Sequence, residues 1–142
     1  MKSLLFGTTS IDSITSNVGL TILRIYTGLS MAFAHGLDKI PPSDGFAKSV
    51  SEMGFPSPEF FAWAASLSEF GGGILLALGL MTRPASFFIG VTMLVAGFLY
   101  HSPDAFGSKE KAFLFAVIAL CFGLVGAGRY SMDAWVRKRS NL

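Results

Sequence analysis

The sequence predicts an all-α protein, a four-helix transmembrane bundle whose successive helices run antiparallel in an up-down arrangement. Hydrophobic residues make up 51% of its 142 residues, charged residues make up 14%, and the mean hydropathy is +0.56. A soluble domain usually carries about 25% charged residues. The apolar residues fall into four blocks, at residues 18–37, 60–80, 84–101 and 112–128. We interpret residues 1–142 as a single membrane domain.

The length and polarity of these blocks indicate membrane helices. Each block is close to the roughly 17–25 residues that a helix needs to cross a bilayer. The first block contains one full charge, Arg24, the second contains Glu69, and the other two contain no carboxylate, lysine or arginine. A soluble helical protein is disfavoured, because its buried helices are seldom apolar on every face. Transmembrane strands are disfavoured because the alternating pattern of a barrel is missing.

The segments between the blocks predict caps and loops. Residues 1–17 lack the long apolar run of a signal peptide, so we interpret them as an interfacial lead-in to the first helix. Ser16 or Asn17 is predicted to cap that helix. Residues 38–59 contain four prolines and are predicted to form a long loop. Thr82 is predicted to cap the third helix.

The distribution of lysine and arginine predicts the orientation. Six cations are expected on the side that holds both termini: Lys2, Arg83, Arg129, Arg137, Lys138 and Arg139. Four are expected on the other side, where acidic residues dilute them: Lys39, Lys48, Lys109 and Lys111. Both termini are therefore predicted to be cytoplasmic, with Trp135 as an interfacial anchor. The small net charge of +2 does not suggest a nucleic-acid partner.

Two charges at membrane depth are the first candidates for a functional site. Arg24 lies early in the first block and Glu69 lies near the middle of the second. Charges at this depth are costly and frequently functional. Their depths differ by about one arginine side chain, so we predict that the two residues form an ion pair. The pair has two interpretations, a lock between helices or the charged wall of a ligand or proton site.

The first helix carries a continuous face that includes further candidates. Arg24, Gly28, Met31, His35 and Lys39 recur at steps of three and four residues, so they stack on one side. Gly28 is equally compatible with a cavity and with close helix packing. Packing is the preferred interpretation for four other glycines: Gly71, Gly72, Gly90 and Gly97.

The histidines and the cysteine give little indication of metal binding or redox chemistry. His35 and His101 are each followed three residues later by an aspartate, which is only a weak indication of metal or haem, so no metal site is predicted. Cys121 is the only cysteine, so a dithiol relay is impossible, and we interpret it as a small core residue. Any electron chemistry therefore needs a bound cofactor, a quinone or a partner subunit.

A series of short motifs resembles the DoxX family of small four-helix bacterial membrane proteins. The motifs follow one another along nearly the whole chain: Leu23-Arg24 with Gly28, His35-Gly36 with Lys39, Gly54-Phe55-Pro56, Glu69 with Gly72-Gly73, Leu78-Gly79-Leu80 with Thr82-Arg83, and Gly126, Gly128, Ser131 and Asp133. The resemblance implies a bacterial inner-membrane bundle. It also implies a link to redox complexes, because the family is named after a thiosulfate:quinone oxidoreductase subunit. Arg24, Lys39 and Glu69 fall on the family's recurring positions.

Three functions follow as hypotheses. The first is an accessory or quinone-linked subunit of a membrane redox system, in which the ligand meets Arg24, Glu69 or His35. The second is a carrier of protons or a small solute that uses Glu69. The third is a structural or scaffolding membrane protein whose polar residues lock the bundle. The expected partners are the lipid bilayer and either a quinone or a redox protein.

Overall fold

The computed structural model describes residues 13–140, except for the side chain of residue 140. This part of the chain is mostly helical. Its α-helices are α1 (Ile14–Met31), α2 (Asp44–Glu52), α3 (Pro58–Leu78), α4 (Thr82–Val95), α5 (Phe106–Val125) and α6 (Met132–Ser140). A π-helical segment (Ala32–Gly36) and a 3₁₀ turn (Leu37–Lys39) extend α1, and a second π segment (Ala96–Tyr100) extends α4. The predicted all-α class is confirmed. The lead-in lies mostly in residues 1–12, outside the described part.

Two helices lie outside the four predicted blocks. Helix α2 lies inside the predicted loop 38–59 and is capped by Ser43, whose hydroxyl accepts a hydrogen bond from the backbone N–H of Phe46 at 3.2 Å. The prediction of a loop over residues 38–59 was wrong because prolines mark the boundaries of a short helix as readily as they mark a loop. The basic segment that contains Arg137, Lys138 and Arg139 forms α6.

The predicted caps of α1 and α4 were also wrong. Ser13 caps α1, with its hydroxyl 3.4 Å from the backbone nitrogen of Ser16. Asn17 is buried, and its side-chain oxygen accepts a hydrogen bond from the backbone N–H of Arg129 at 2.9 Å. The α4 cap comes from a distant residue, since the Asp133 carboxylate accepts from the backbone N–H groups of Met81 (2.8 Å) and Thr82 (3.0 Å).

Four helices, α1, α3, α4 and α5, pack in antiparallel order around one apolar core. In α1 and α3, Gly28 lies beside Ala77 and Gly36 lies beside Phe70, so these two helices run in opposite directions. The core lies where the four helices meet and consists of Met31, Leu76, Ile89, Met93, Ala112, Ala116, Ala119 and Phe122. Helices α1 and α3 are direct neighbours in this arrangement.

Helices α1 and α3 approach each other so closely that their backbones touch at glycines. A Cβ atom on Gly28 would lie 2.5 Å from both the nitrogen of Ala77 and the oxygen of Gly73. A Cβ on Gly73 would lie 2.7 Å from the nitrogen of Ala32. Gly28 therefore serves close packing, and the alternative that it borders a cavity was wrong.

The other glycines divide by what surrounds them. A Cβ on Gly97 would meet the Phe113 ring at 2.7 Å, and one on Gly72 would meet Ile89 at 3.2 Å, as expected for packing positions. A Cβ on Gly90 would make an ordinary contact with Ala119 at 3.7 Å. A Cβ on Gly71 would meet no atom within 4 Å, so the packing interpretation was wrong there.

The outside of the bundle is apolar over much of its area. Large side chains point outward from α1, α4 and α5, among them Tyr26 (72% exposed), Phe87 (65%) and Leu124 (67%). Soluble monomers rarely expose contiguous apolar surface on this scale, whereas lipid covers it without cost. Within residues 13–140, two helices are long and apolar enough to cross a membrane, Pro58–Leu78 and Thr82–Tyr100. Cys121 lies on the exposed surface, so its assignment to the core was wrong.

The glycine contact between α1 and α3 makes a testable prediction. Gly28→Ala places a methyl group against backbone atoms and should destabilise the protein by about 1–3 kcal/mol, the usual cost of overpacking. Gly19→Ala is the matched control on the same helix, because nothing lies within 4 Å of its Cβ position. The control should be neutral or stabilising by about 0.5–1 kcal/mol, since alanine favours helix. Thermal melting of both variants in detergent measures the difference, and equal melting temperatures would contradict the packing role.

Candidate ligand-binding site

A cavity of about 690 Å³ lies at the end of the bundle covered by α2. Its wall is formed by the extension of α1 and by α2, α3, α4 and α5. Seven phenylalanine and tyrosine side chains are part of the lining that the structure describes: Phe46, Phe55, Phe60, Phe61, Phe88, Tyr100 and Phe115. The volume is within the roughly 300–1,000 Å³ that small-molecule sites occupy. We call this space the α2-end cavity.

An ion pair between Lys39 and Glu69 forms part of the polar side of the cavity wall. The Lys39 Nζ lies 2.6 Å from Oε2 and 2.8 Å from Oε1 of Glu69. The Glu69 side chain is 3% exposed, and the Lys39 side chain is 34% exposed. Lys39 comes from the 3₁₀ turn that ends the α1 extension, and its long stem carries the ammonium to the middle of α3. A carboxylate that is otherwise buried is thus compensated by a cation that also reaches the cavity.

Two π-helical segments shape the cavity at the same end of the bundle. His35 lies within the first segment, Tyr100 ends the second, and His101 follows directly. All three residues line the cavity. A π segment changes the register of the side chains that follow it, and such segments are rare and frequently found at functional sites. The two segments therefore direct polar and aromatic side chains of α1 and α4 toward one space.

The two histidines have different surroundings. The His101 Nδ1 lies 2.7 Å from the Asp104 carboxylate, so the second of the two histidine–aspartate motifs is formed. The His35 ring packs edge-on against Phe115, with 5.4 Å between the ring centroids. Among the residues that the structure describes, no group of three or more histidine, cysteine, aspartate or glutamate side chains is placed to hold a metal.

The predicted ion pair between Arg24 and Glu69 was wrong. Glu69 pairs with Lys39, and Arg24 reaches in the opposite direction, toward the C-terminal end of α3. Its guanidinium donates to the carbonyls of Leu76 (3.1 Å) and Ala77 (2.9 Å). Depth along the helices was a poor guide because an arginine side chain reaches about as far toward one end of the bundle as toward the other.

Arg24 is buried at the end of the bundle opposite the cavity. It is 2% exposed, and its second terminal nitrogen donates to the carbonyl of Tyr130 at 2.8 Å. The last carbonyls of a helix carry partial negative charge, so a cation is stabilised there. Asp133 lies within electrostatic range of the guanidinium. Arg24 therefore fixes the end of α3 and lies outside the cavity.

Three of the five predicted site residues come together and two do not. His35, Lys39 and Glu69 line the α2-end cavity, whereas Arg24 and Gly28 lie in the packed part of the bundle. Sequence reasoning missed two groups of lining residues. The first is the apolar face of α2, which a spacing of four between Phe46 and Val50 indicates. The second is Lys111, which was considered only as a determinant of orientation.

Comparison with known proteins supports the resemblance seen in the sequence. The model of the DoxX family matches residues 19–102. A Bacillus subtilis protein named "Putative oxidoreductase CatD" is 29% identical over 122 residues, which cover 85% of this chain and 89% of the relative. The Escherichia coli protein named "Inner membrane protein YqjF" is 30% identical over 127 residues, which cover 87% and 95%. No solved structure gives a significant match.

The Lys39–Glu69 contact leads to a prediction for a double-mutant cycle, in which the two single substitutions should cost different amounts of stability. Lys39→Met leaves a buried carboxylate without its cation and should cost about 3–5 kcal/mol of stability. Glu69→Gln should cost less, because the half-buried Lys39 ammonium can turn toward water. The double variant should lose less than the sum of the two single variants. Thermal melting of detergent-purified protein measures all three.

The Lys48–Glu52 pair provides the control for this cycle. Its atoms are 4.0 Å apart and its side chains are 78% and 68% exposed. The corresponding substitutions should change stability by less than about 1 kcal/mol and should add independently. Additive losses at Lys39 and Glu69 would show that the two residues act separately, against the contact seen here.

Proposed function

We propose that this chain, which belongs to the DoxX family of membrane proteins, is an accessory, quinone-linked subunit of a membrane redox system. In this proposal the α2-end cavity holds a lipid-like ligand of the quinone type. The electrons come from a partner, because the chain itself has a single cysteine and that residue lies on the outer surface. The name of the Bacillus subtilis relative, an oxidoreductase, supports the redox setting.

The cavity is the observation that carries the proposal. Its wall combines aromatic rings, on which a planar ring can stack, with the polar pair of Lys39 and Glu69 at one side. Phe60 and Phe88 line the cavity and are also among the most exposed large apolar side chains, at 66% and 58%. A ligand dissolved in the bilayer therefore has an apolar path into the site.

The lining residues have separate tasks in this proposal. Lys39 offers N–H donors to a carbonyl oxygen of the ligand, and Glu69 fixes the position of the Lys39 ammonium. The phenylalanines hold the ring system and keep water away from the apolar part of the ligand. A bound quinone would supply the redox chemistry, and this chain would bind and orient it.

We further propose that the protein crosses the bacterial inner membrane four times, through α1, α3, α4 and α5, with both termini in the cytoplasm. The apolar outer surface and the two long apolar helices support the spans. The cluster of Arg137, Lys138 and Arg139 on α6, beside Trp135, supports a cytoplasmic C-terminus. The Escherichia coli relative is named as an inner membrane protein.

A carrier of protons or a small solute is the second candidate. The observation that favours it is that the Glu69 carboxylate lies on the cavity wall. The opposite end of the bundle is filled by the buried Arg24 and its carbonyl partners, so the site opens toward one end only. The binding function is therefore preferred. Flux of protons in liposomes, dependent on pH and lost in Glu69→Gln, would support the carrier.

The binding proposal predicts that quinone accompanies the purified protein. Gentle detergent extraction followed by mass spectrometry of the lipid extract should find quinone in near-stoichiometric amount. Ala65→Phe fills the cavity and should remove most of it, whereas Ala34→Phe, at an exposed position outside the lining, should not. Absence of quinone from the extract, together with no binding of added quinone, would contradict the proposal.

The proposed topology predicts the location of two reporters. A reporter fused after Leu142 should be found in the cytoplasm, and one inserted near Ser49 in α2 should be found on the exported side. Enzymatic activity of reporters that work on one side of the membrane provides the measurement. Both reporters on the same side would exclude the four-span arrangement.

A further inference from the structure

The α2-end cavity contains more cationic groups than anionic groups. Its lining includes two lysines, Lys39 and Lys111, and two histidines, His35 and His101. Glu69 is the only carboxylate among the lining residues that the structure describes, and Lys39 occupies both of its oxygens. With the histidines neutral, two lysines against one carboxylate leave one positive charge on the wall.

Three of these basic groups line the same cavity and act on one another electrostatically. His35 is within electrostatic range of both Lys39 and Lys111. His101 is set apart, because the Asp104 carboxylate lies 2.7 Å from its ring. We call His35, Lys39 and Lys111 the basic corner of the cavity.

Lys111 is the member of the basic corner whose charge has no partner in the described part of the chain. The structure shows no ion pair or hydrogen bond from its ammonium to residues 13–140. The nearby Lys109 differs, since its Nζ donates to the carbonyl of Ser102 at 2.8 Å. Lys111 is an exposed residue, so water reaches its ammonium, and an oxyanion in the cavity would add a charge-assisted hydrogen bond to it.

We infer that the basic corner recognises an oxyanion, and that the ligand of the cavity is an amphipathic anion with an apolar body and a negatively charged head. Lys111 is the residue that distinguishes a charged head from a neutral one. The inference rests on the proposed function, in that the cavity must hold an amphipathic ligand. The same chemistry is offered by an ionised hydroxyquinone and by a lipid carboxylate, and the experiment separates these two sources.

The experiment compares pairs of probes that share an apolar body and differ in the charge of the polar head. The first pair is a 2-hydroxy-3-alkyl-1,4-naphthoquinone, which is ionised at neutral pH, and its neutral 2-methoxy ether. The second pair is dodecanoate and dodecanol. Binding to the full-length protein in neutral detergent is measured by calorimetry. Each anion that fits the cavity should bind about tenfold more tightly than its neutral partner, a ratio that one charge-assisted hydrogen bond can supply.

The variants assign this preference to Lys111. Lys111→Gln should reduce the preference to about twofold or less, and Lys111→Arg should restore most of it. Lys109→Gln is the matched control and should retain the tenfold ratio. Melting temperatures near that of the natural protein show that the variants are folded, so a lost preference is not a lost fold.

The outcomes separate this inference from the proposed function. Equal binding of the anionic and neutral naphthoquinones, or a preference unchanged in Lys111→Gln, would overturn the inference and leave the quinone proposal standing. Tight binding of dodecanoate with no binding of either naphthoquinone would support the inference and reject the quinone. Binding of none of the four probes would reject both.

Discussion

The contacts of the buried Arg24 guanidinium with the last carbonyls of α3 set the geometry of one end of the bundle. A cation buried at 2% exposure is tolerated because helix α3 ends there, and two carbonyls of its last turn accept hydrogen bonds from the guanidinium. On the other side of the turn, the Asp133 carboxylate accepts the first N–H groups of α4. Opposite charges thus complement the opposite ends of two consecutive helices, and the turn between α3 and α4 is held from both sides.

The end of the bundle that contains Arg24 is tightly packed, and it positions the rest of α1 against α3. From Arg24 onward, α1 runs along α3 with backbone contact at Gly28 and Gly73, so the two helices cannot slide past each other without a clash. The rigid pairing carries Lys39 to the level of Glu69. The cavity then forms at the far end, where α2 covers the space between the helices. A packed end and an open end are therefore consequences of the same α1–α3 contact.

Sequence reasoning predicted the four long helices and identified the polar residues inside them, but it assigned the wrong partners to those residues. The apolar blocks predict helices because a membrane segment has to be apolar on nearly all faces. Arg24 and Glu69 were recognised as exceptional, yet they do not contact each other: Arg24 donates to backbone carbonyls, and Glu69 pairs with Lys39, which lies outside the blocks. Because only charges inside the apolar blocks were considered as partners, Arg24 and Glu69 were predicted to pair with each other. A long side chain just outside an apolar block, such as that of Lys39, can reach a charged residue inside a neighbouring block.

Other parts of the site have no recognisable sequence pattern, or have one that a stronger pattern in the same segment conceals. Helix α2 was hidden by the prolines around it, although Phe46 and Val50 are spaced as on one helical face. The π segments follow from tertiary packing, and the residues 32–36 and 96–100 carry no pattern that distinguishes them from ordinary helix. The cavity is bounded by residues from five helices, which a single-helix pattern does not bring together.

The π segments also determine how this part of the chain responds to a change in length. A π turn holds one residue more than the α turn it replaces, so the deletion of a single residue within Ala32–Gly36 would let α1 continue in regular geometry. The wide turn absorbs the extra residue, so Lys39 would keep about the same direction toward Glu69 after such a deletion. In a helix without a π turn, the loss of one residue turns every following residue by about 100° around the helix axis and shortens the helix by about 1.5 Å. The π segment is therefore the place in α1 where the loss of one residue disturbs the cavity wall least.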